Sequence, residues 1–386
     1  MAAGGADSPD NLESIPGRVS LRGLPRLIHP LDGCGFRQYW RHYIDNWPYD
    51  LRSLHTRLFA TAVVTLRLAP VFLEHRAHRA AIEAQTLEHG PVFVVGHWRS
   101  GTTHLHNILS RDPQFAWMSF DEAVLPLDCL SRMRLGRTVM NWFLPKTRGM
   151  DNVAIDADSP QEEEFALGAL GDRCFLKCFY FPRELDRHFR QSVLLEGLDP
   201  PGRERLANAY RFIARKMAYA HGGKTVLFKN PANTARMSFL KEVFPRAKFV
   251  HIVRDPYSVH PSMMRLWSNL LNEFSWQRVR EIDFSEATFS IYERTMRAHL
   301  EDRRRIPESD LHEVRFEQLE TDPKGAVRGI YEALGIPSSP EAMRRIDAYI
   351  DEQGSYQRSE HAPNSAMRSL IAERWRFAFE HWGYPI

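Results

Sequence analysis

Cysteine is scarce in this 386-residue chain: there are four, at positions 34, 129, 174 and 178. Their spacing suggests no disulfide framework, and the Cys174/Cys178 pair lacks the second pair that a structural zinc site requires. They read as reduced thiols of a cytosolic, cytoplasmic protein. Long apolar runs are also missing. The most hydrophobic stretch, Leu58 to Leu73, is interrupted by Arg67 and Pro70 and falls short of the ~20 apolar residues that span a bilayer. A core-packing helix ahead of the first strand is expected there, and peripheral contact with a membrane surface is the sharper alternative. The first twenty residues hold no apolar core flanked by positive charge, so a disordered tail is expected and not a cleaved secretory signal. Neither sign of charge dominates. A net charge of +3 is too weak to argue for nucleic acid. With 43% hydrophobic and 26% charged residues, the chain reads as a soluble globular protein long enough for one large α/β domain with insertions.

The informative segment is Pro-Val-Phe-Val-Val-Gly-His-Trp-Arg-Ser-Gly-Thr-Thr, residues 91–103. A buried-strand pattern runs into a glycine-bounded loop that opens a helix over His104 to Leu109, which aims backbone N–H groups and a helix N-terminus at one anion. The spacing from Gly96 to Gly101 is that of an ATP-type P-loop, yet Thr102 stands where such a loop requires lysine. The cation lies inside the loop instead, at Arg99. Strand-like runs at Val92–Val95, Val226–Phe228, Phe249–Val253 and Leu311–Phe316 alternate with helical patterns, which predicts a parallel sheet with helices on both faces. About 130 mostly helical residues separate the first two runs and would build an acceptor pocket. Ser159-Pro160 predicts a helix over Gln161 to Ala169, Thr321-Asp322-Pro323 one over Lys324 to Leu334, and Ser339-Pro340 another near the C-terminus.

On these motifs the chain resembles the sulfotransferases that use 3′-phosphoadenosine 5′-phosphosulfate (PAPS). Arg99-Ser100-Gly101-Thr102-Thr103 matches the first signature of that family, and Gly-His-Trp-Arg-Ser-Gly-Thr-Thr resembles a bacterial branch of it. The second signature is matched by the strand 249–253 followed by Arg254-Asp255-Pro256, with Ser262 eight positions after the arginine. The resemblance implies a P-loop-like α/β sulfotransferase fold over residues 89–386, behind a tail (1–20) and a helical segment (21–88). It implies PAPS as cofactor, 3′,5′-ADP as product, and a small-molecule, lipid or carbohydrate hydroxyl as acceptor.

Within that resemblance Arg99, Ser100, Gly101, Thr102 and Thr103 would hold the phosphosulfate, and Arg254 with Ser262 the 3′-phosphate. A guanidinium fork and a hydroxyl suit a terminal phosphate on chemical grounds as well. Lys229, at the end of a strand and before Asn230-Pro231, resembles the family lysine that reaches the bridging oxygen. No metal is expected. For the general base the residues leave several candidates: Glu162 and Glu164 of the Glu162-Glu163-Glu164 cluster, His97 inside the loop, and Asp121 or Glu122. The family resemblance favours the cluster. A P-loop small-molecule kinase using ATP and Mg²⁺ is the rival reading, against which the missing lysine counts.

Overall fold

A computed structural model describes residues 17–131, 159–279, 281–353 and 363–386. Five parallel strands form the central sheet: β1 (Val92–Val95), β2 (Phe115–Ala116), β3 (Thr225–Lys229), β4 (Lys248–Val253) and β5 (Leu311–Arg315), in the order β2-β3-β1-β4-β5. The four runs read from the sequence lie at these positions to within a residue. The two-residue β2 was not foreseen, because no periodicity can show in so short a strand. β1 occupies the centre, with Val94 opposite Lys229 on one side and Val95 opposite His251 on the other. All four of its residues are buried, as a strand covered on both faces requires.

Alternation of side chains divides the core. Phe93, Val95, Val226, Phe228 and Phe249 face the helices Pro200–Ala220 and Met237–Val243. Val92, Val94, Leu227, Val250, Ile252 and Val314 face Thr102–Leu109 and Pro323–Leu334. The layers are therefore helix, sheet, helix. A third apolar cluster lies beyond the sheet, where the N-terminal segment meets the helices Lys177–Tyr180, Pro256–Phe274 and Phe284–Arg303. Phe179, Tyr180 and Phe181 are buried there, against Trp267 and Trp276. Trp142 and Phe143, with the rest of 132–158, lie outside the described residues.

Two expectations need correction. The helix predicted from Gln161 starts at Glu164, because Pro160 bridges to Ser119 and the Gln161 N–H donates to the Met118 carbonyl. Those residues find their partners in another segment before a helix can supply them. The apolar stretch Leu58 to Leu73 is two helices, Leu54–Leu66 and Leu68–Ala84, bent by 41° at Arg67. Its expected place in the core is taken by Thr56, Ala60 and Val64 together with the charged Arg57, Arg67 and Glu74. Leu58, Leu66, Leu68, Phe72 and Leu73 face outward.

Candidate active site

Every strand of the sheet but β2 delivers site residues at its carboxyl end, where parallel α/β sheets hold their ligands. From β1 the chain enters the loop Gly96–Gly101. Gly96 (φ 149°) passes so close to β4 that a Cβ would lie 2.3 Å from the Ile252 carbonyl oxygen. Gly101 (φ 100°) lies against Phe316, where a Cβ would come within 2.3 Å of the ring. Both positions demand glycine on backbone and steric grounds. Arg99 adopts the left-handed region (φ 72°), a conformation that costs an L-residue on the order of 1 kcal/mol. The loop is held by Thr234, whose hydroxyl accepts from the Gly96 N–H (2.8 Å), and by Ser100, whose N–H and hydroxyl both donate to the His97 carbonyl. Nothing in the sequence singles out Thr234, since its partner is 138 residues away.

The helix Thr102–Leu109 begins at Gly101 with no side-chain cap, so its first turn presents backbone N–H groups at the loop. Around that point the structure brings three cations together. Arg99 Nε donates to Ser262 Oγ at 2.8 Å, Arg254 donates to the Arg99 carbonyl at 3.3 Å, and Lys229 Nζ lies 3.3 Å from Thr103 Oγ1. The Arg254 guanidinium lies 4.3 Å from the centre of the Phe316 ring, a cation–π platform that fixes the plane of the fork. Asp255 caps the helix Pro256–Phe274 by accepting from the Tyr257 N–H.

The three consecutive glutamates grip the segment after β3 with three different outcomes. Glu162 lies 2.5 Å from Lys229, which is fully buried, while the Glu162 side chain keeps 21% exposure. Glu163 is buried, accepts from Asn233 Nδ2 at 2.6 Å, and is pushed up by burial to about 7. Glu164 takes Arg236 through both oxygens (3.0 and 3.2 Å), plus Asn230 Nδ2 at 2.6 Å and the Phe175 N–H. Its carboxylate is saturated within the core.

The remaining base candidates have other partners. His97 is buried against Tyr292 and Trp98 and held near 3 by desolvation, its Nδ1 beside the Trp98 carbonyl (2.9 Å). Glu122 completes a capping box with Ser119 and pairs with His221, and Asp121 accepts from the Ser119 hydroxyl. The four cysteines are free and buried, with every thiol raised by burial. Among the described residues one group of metal-ligand type occurs, His251, His299 and Glu313; both rings lie on Glu313 Oε1 (3.0 and 3.3 Å), and Arg303 pairs with its Oε2 at 2.9 Å.

A parallel sheet here brings an uncapped helix start, two arginines and a buried lysine together on one loop at the carboxyl ends of its strands, in an α/β protein. Residues 91–340 match the model of the sulfotransferase family, and the chain belongs to that family. It is 30% identical over 302 residues to omega-hydroxy-beta-dihydromenaquinone-9 sulfotransferase Stf3 of Mycobacterium bovis (strain ATCC BAA-935 / AF2122/97), covering 76% of this chain and 75% of the relative. The Stf3 of Mycobacterium tuberculosis (strain CDC 1551 / Oshkosh) matches with the same figures. Among solved structures, sulfotransferase STF9 from Mycobacterium avium superposes with a TM-score of 0.63 at 19% identity, over 88% of each chain. STF1 from Mycobacterium tuberculosis H37Rv also gives 0.63, at 18% identity over 91% of this chain and 94% of that one. The fold is thus that of the sulfotransferases.

Proposed function

We propose that the protein transfers the sulfuryl group of PAPS to the hydroxyl of an acceptor, releasing 3′,5′-ADP, and that the acceptor is a lipid alcohol. The observation that carries the reading is the pair of cationic sites on one loop. Lys229 and Thr103 stand at the start of the helix, while Arg254, Arg99 and Ser262 are linked on the other side of the loop. A donor with phosphate at two ends needs two such sites. Bound there, PAPS would supply an activated sulfuryl group on a phosphate leaving group. The helix N–H groups, Arg99 and Lys229 offset charge on that phosphate, the electrostatic role that dominates this kind of catalysis. Arg254, seated on Phe316, holds the 3′-phosphate with Ser262.

Glu162 is the base. It is the one member of the glutamate cluster with solvent-facing surface, and Lys229 Nζ donates to its carboxylate at 2.5 Å, which fixes where it points. It takes the acceptor proton as the new O–S bond forms and the bond to the leaving phosphate breaks. Glu164 and His97, both closed off in the core, support the site without touching substrate. A lipid alcohol is favoured because the 30% identical relative is named for a hydroxylated menaquinone.

The test is to incubate the full chain with ³⁵S-labelled PAPS or γ-³²P-labelled ATP and a set of isoprenoid alcohols, phenols and sugars, with and without excess EDTA. Transfer of ³⁵S to an isoprenoid alcohol that persists in EDTA is expected. Transfer of ³²P, or ³⁵S transfer abolished by EDTA and restored by Mg²⁺, would overturn the reading.

A further inference from the structure

The helix pair Leu54–Leu66 and Leu68–Ala84 is inside out. Its buried side carries Arg67 in an ion pair with Asp128 (2.6 Å), Glu74 paired to Lys216, and Arg57 bonded to Ser53 and Tyr43. Its outer side carries six large apolar residues, Leu54, Leu58, Leu66, Leu68, Phe72 and Leu73, while Ala60, Val64 and Ile82 pack inward. Leu51, Leu54, Leu58, Leu66, Phe72 and Leu73 recur at helical spacing along one outward stripe, and Leu51, Leu58, Leu66 and Phe72 are each more than 60% exposed. The preceding segment extends the patch. The Pro25 carbonyl lies 3.0 Å from the His55 ring, which brings the exposed Leu24 and Leu27 to the first turn of the pair. Trp47, also exposed, lies just ahead of Leu51. A face of this extent is far larger than scattered surface leucines, and such faces mark interaction sites.

Charge identifies what covers it. Residues 17–84 hold ten arginines and no lysine against five carboxylates, an excess of five positive charges in a chain whose total is +3. Exposed Arg37, Arg76 and Arg79 lie on this segment. A symmetric contact with a second copy would bring two positive segments together, whereas an anionic surface complements them. No single helix of the pair spans, and although the bent pair together is long and apolar enough, its charged inner side is held by the rest of the protein. At 1.5 Å per residue the helices are about 20 and 25 Å long, each short of the ~30 Å hydrocarbon layer, and no single helix among the described residues is long and apolar enough to cross it.

We infer that this stripe is a monotopic membrane-docking surface, with its leucines and Phe72 among the acyl chains of an anionic leaflet and its arginines at the headgroups. The surface is connected to the candidate active site through two elements. The helix Glu164–Leu170, which starts two residues after Glu162, accepts at its other end from the Gly35 N–H (Ala169 carbonyl, 3.3 Å) and lies 3.1 Å from the His42 ring through the Gly168 carbonyl. The helix Phe36–Asp45 that carries His42 bonds to the pair through Tyr39, whose hydroxyl donates to the Arg57 carbonyl at 3.2 Å. Docking does not depend on the proposed reaction, so either can fail alone.

The experiment is co-sedimentation of the full chain with phosphatidylcholine vesicles, with and without phosphatidylglycerol, beside the variant Leu58→Glu/Phe72→Glu. The wild type is expected to pellet with the anionic vesicles and less with the neutral ones. The double variant should lose about tenfold or more in partitioning for each apolar side chain removed, while its melting temperature stays put because both positions are exposed. Should that variant lose its fold, Leu58→Ser/Phe72→Ser is read in the same assay. A wild type that stays in the supernatant with both vesicle types would overturn the inference. So would a variant that pellets like the wild type, or a wild-type dimer in light scattering that the same substitutions make monomeric.

Discussion

At the scale of single residues, three adjacent glutamates show how little residue type says about role. Glu162 faces solvent beside Lys229, Glu163 is buried with a raised pKa, and Glu164 is locked to Arg236. Glu162→Gln is therefore expected to lower kcat by ~10²–10⁴ with little change in 3′,5′-ADP affinity or melting temperature. Glu164→Gln should do the reverse. It leaves the fully buried Arg236 with a neutral partner, which costs about 3 kcal/mol or more and lowers the melting temperature by several degrees. Kinetics and thermal melts of both variants separate the roles, and equal behaviour would remove Glu162 from the mechanism. Arg254→Ala is expected to weaken 3′,5′-ADP binding by tenfold or more and leave 5′-AMP nearly unaffected, as titration calorimetry would show. Arg254→Lys should restore only part of the loss, because an ammonium lacks both the fork and the planar stacking on Phe316. Equal losses for the two nucleotides would show Arg254 to be structural.

At the scale of elements, the loop after β1 is shaped by what lies behind it. Gly96→Ala would set a methyl group against the Ile252 backbone, and Gly101→Ala would set one against the Phe316 side chain. Side chains can be trimmed and backbone cannot. Phe316 is itself buried in the core, so Phe316→Ala costs stability of its own; in that background Gly101→Ala is expected to cost less than it does in the wild type, leaving the φ strain, whereas Gly96→Ala is expected to cost the same in both. Thermal melts of the two double variants beside their single parents measure this. The same kind of contact explains where element reading failed. The helix after Pro160 starts late because its leading residues bridge to 118–119, and the helices around Arg67 turn their leucines outward because buried ion pairs hold the inner side.

At the scale of the whole molecule, burial of uncharged histidines makes stability depend on acidity. Desolvation holds His29, His42 and His97 near 3 and His188 near 2. The unfolded chain protonates these rings near 6.5 and the folded chain does not, so their contribution is complete above 6.5 and is lost as the pH falls toward 3. Each ring loses about 1.4 kcal/mol per pH unit. Asp32 and Glu163, raised to about 7 by burial, act in the opposite sense, with a contribution complete at low pH and lost as the pH rises through 7. Four rings outweigh two carboxyls. Between pH 6.5 and 4.5 stability is expected to fall by about 3 kcal/mol per unit from these groups, with His260 and His299, lowered by burial in the same way, adding to the loss, seen as a steadily dropping melting temperature. A melting temperature that is flat or rises on acidification over that range would show that these histidines are not excluded from protonation.

How much of this was legible before folding follows from whether the carrying interactions are local. The strand, the two glycines and the cation of the loop lie within thirteen consecutive residues, so the strand, loop and helix were legible in the sequence, while the neighbours that make glycine obligatory there, Ile252 and Phe316, come from β4 and from just after β5. Likewise the proline-led caps at Asp322 and Ser339 are contacts across three residues, and both helices start where the sequence places them. β2, the anchoring of Gly96 by Thr234, the seat of Arg254 on Phe316 and the division of labour among Glu162, Glu163 and Glu164 all depend on partners 60 to 140 residues away. The apolar residues at 51–73 were visible in the chain, but hydrophobicity says only that a face seeks an apolar neighbour. Which face turned inward was decided by Asp128 and Lys216, whose buried charges pair with Arg67 and Glu74 and leave the leucines on the surface.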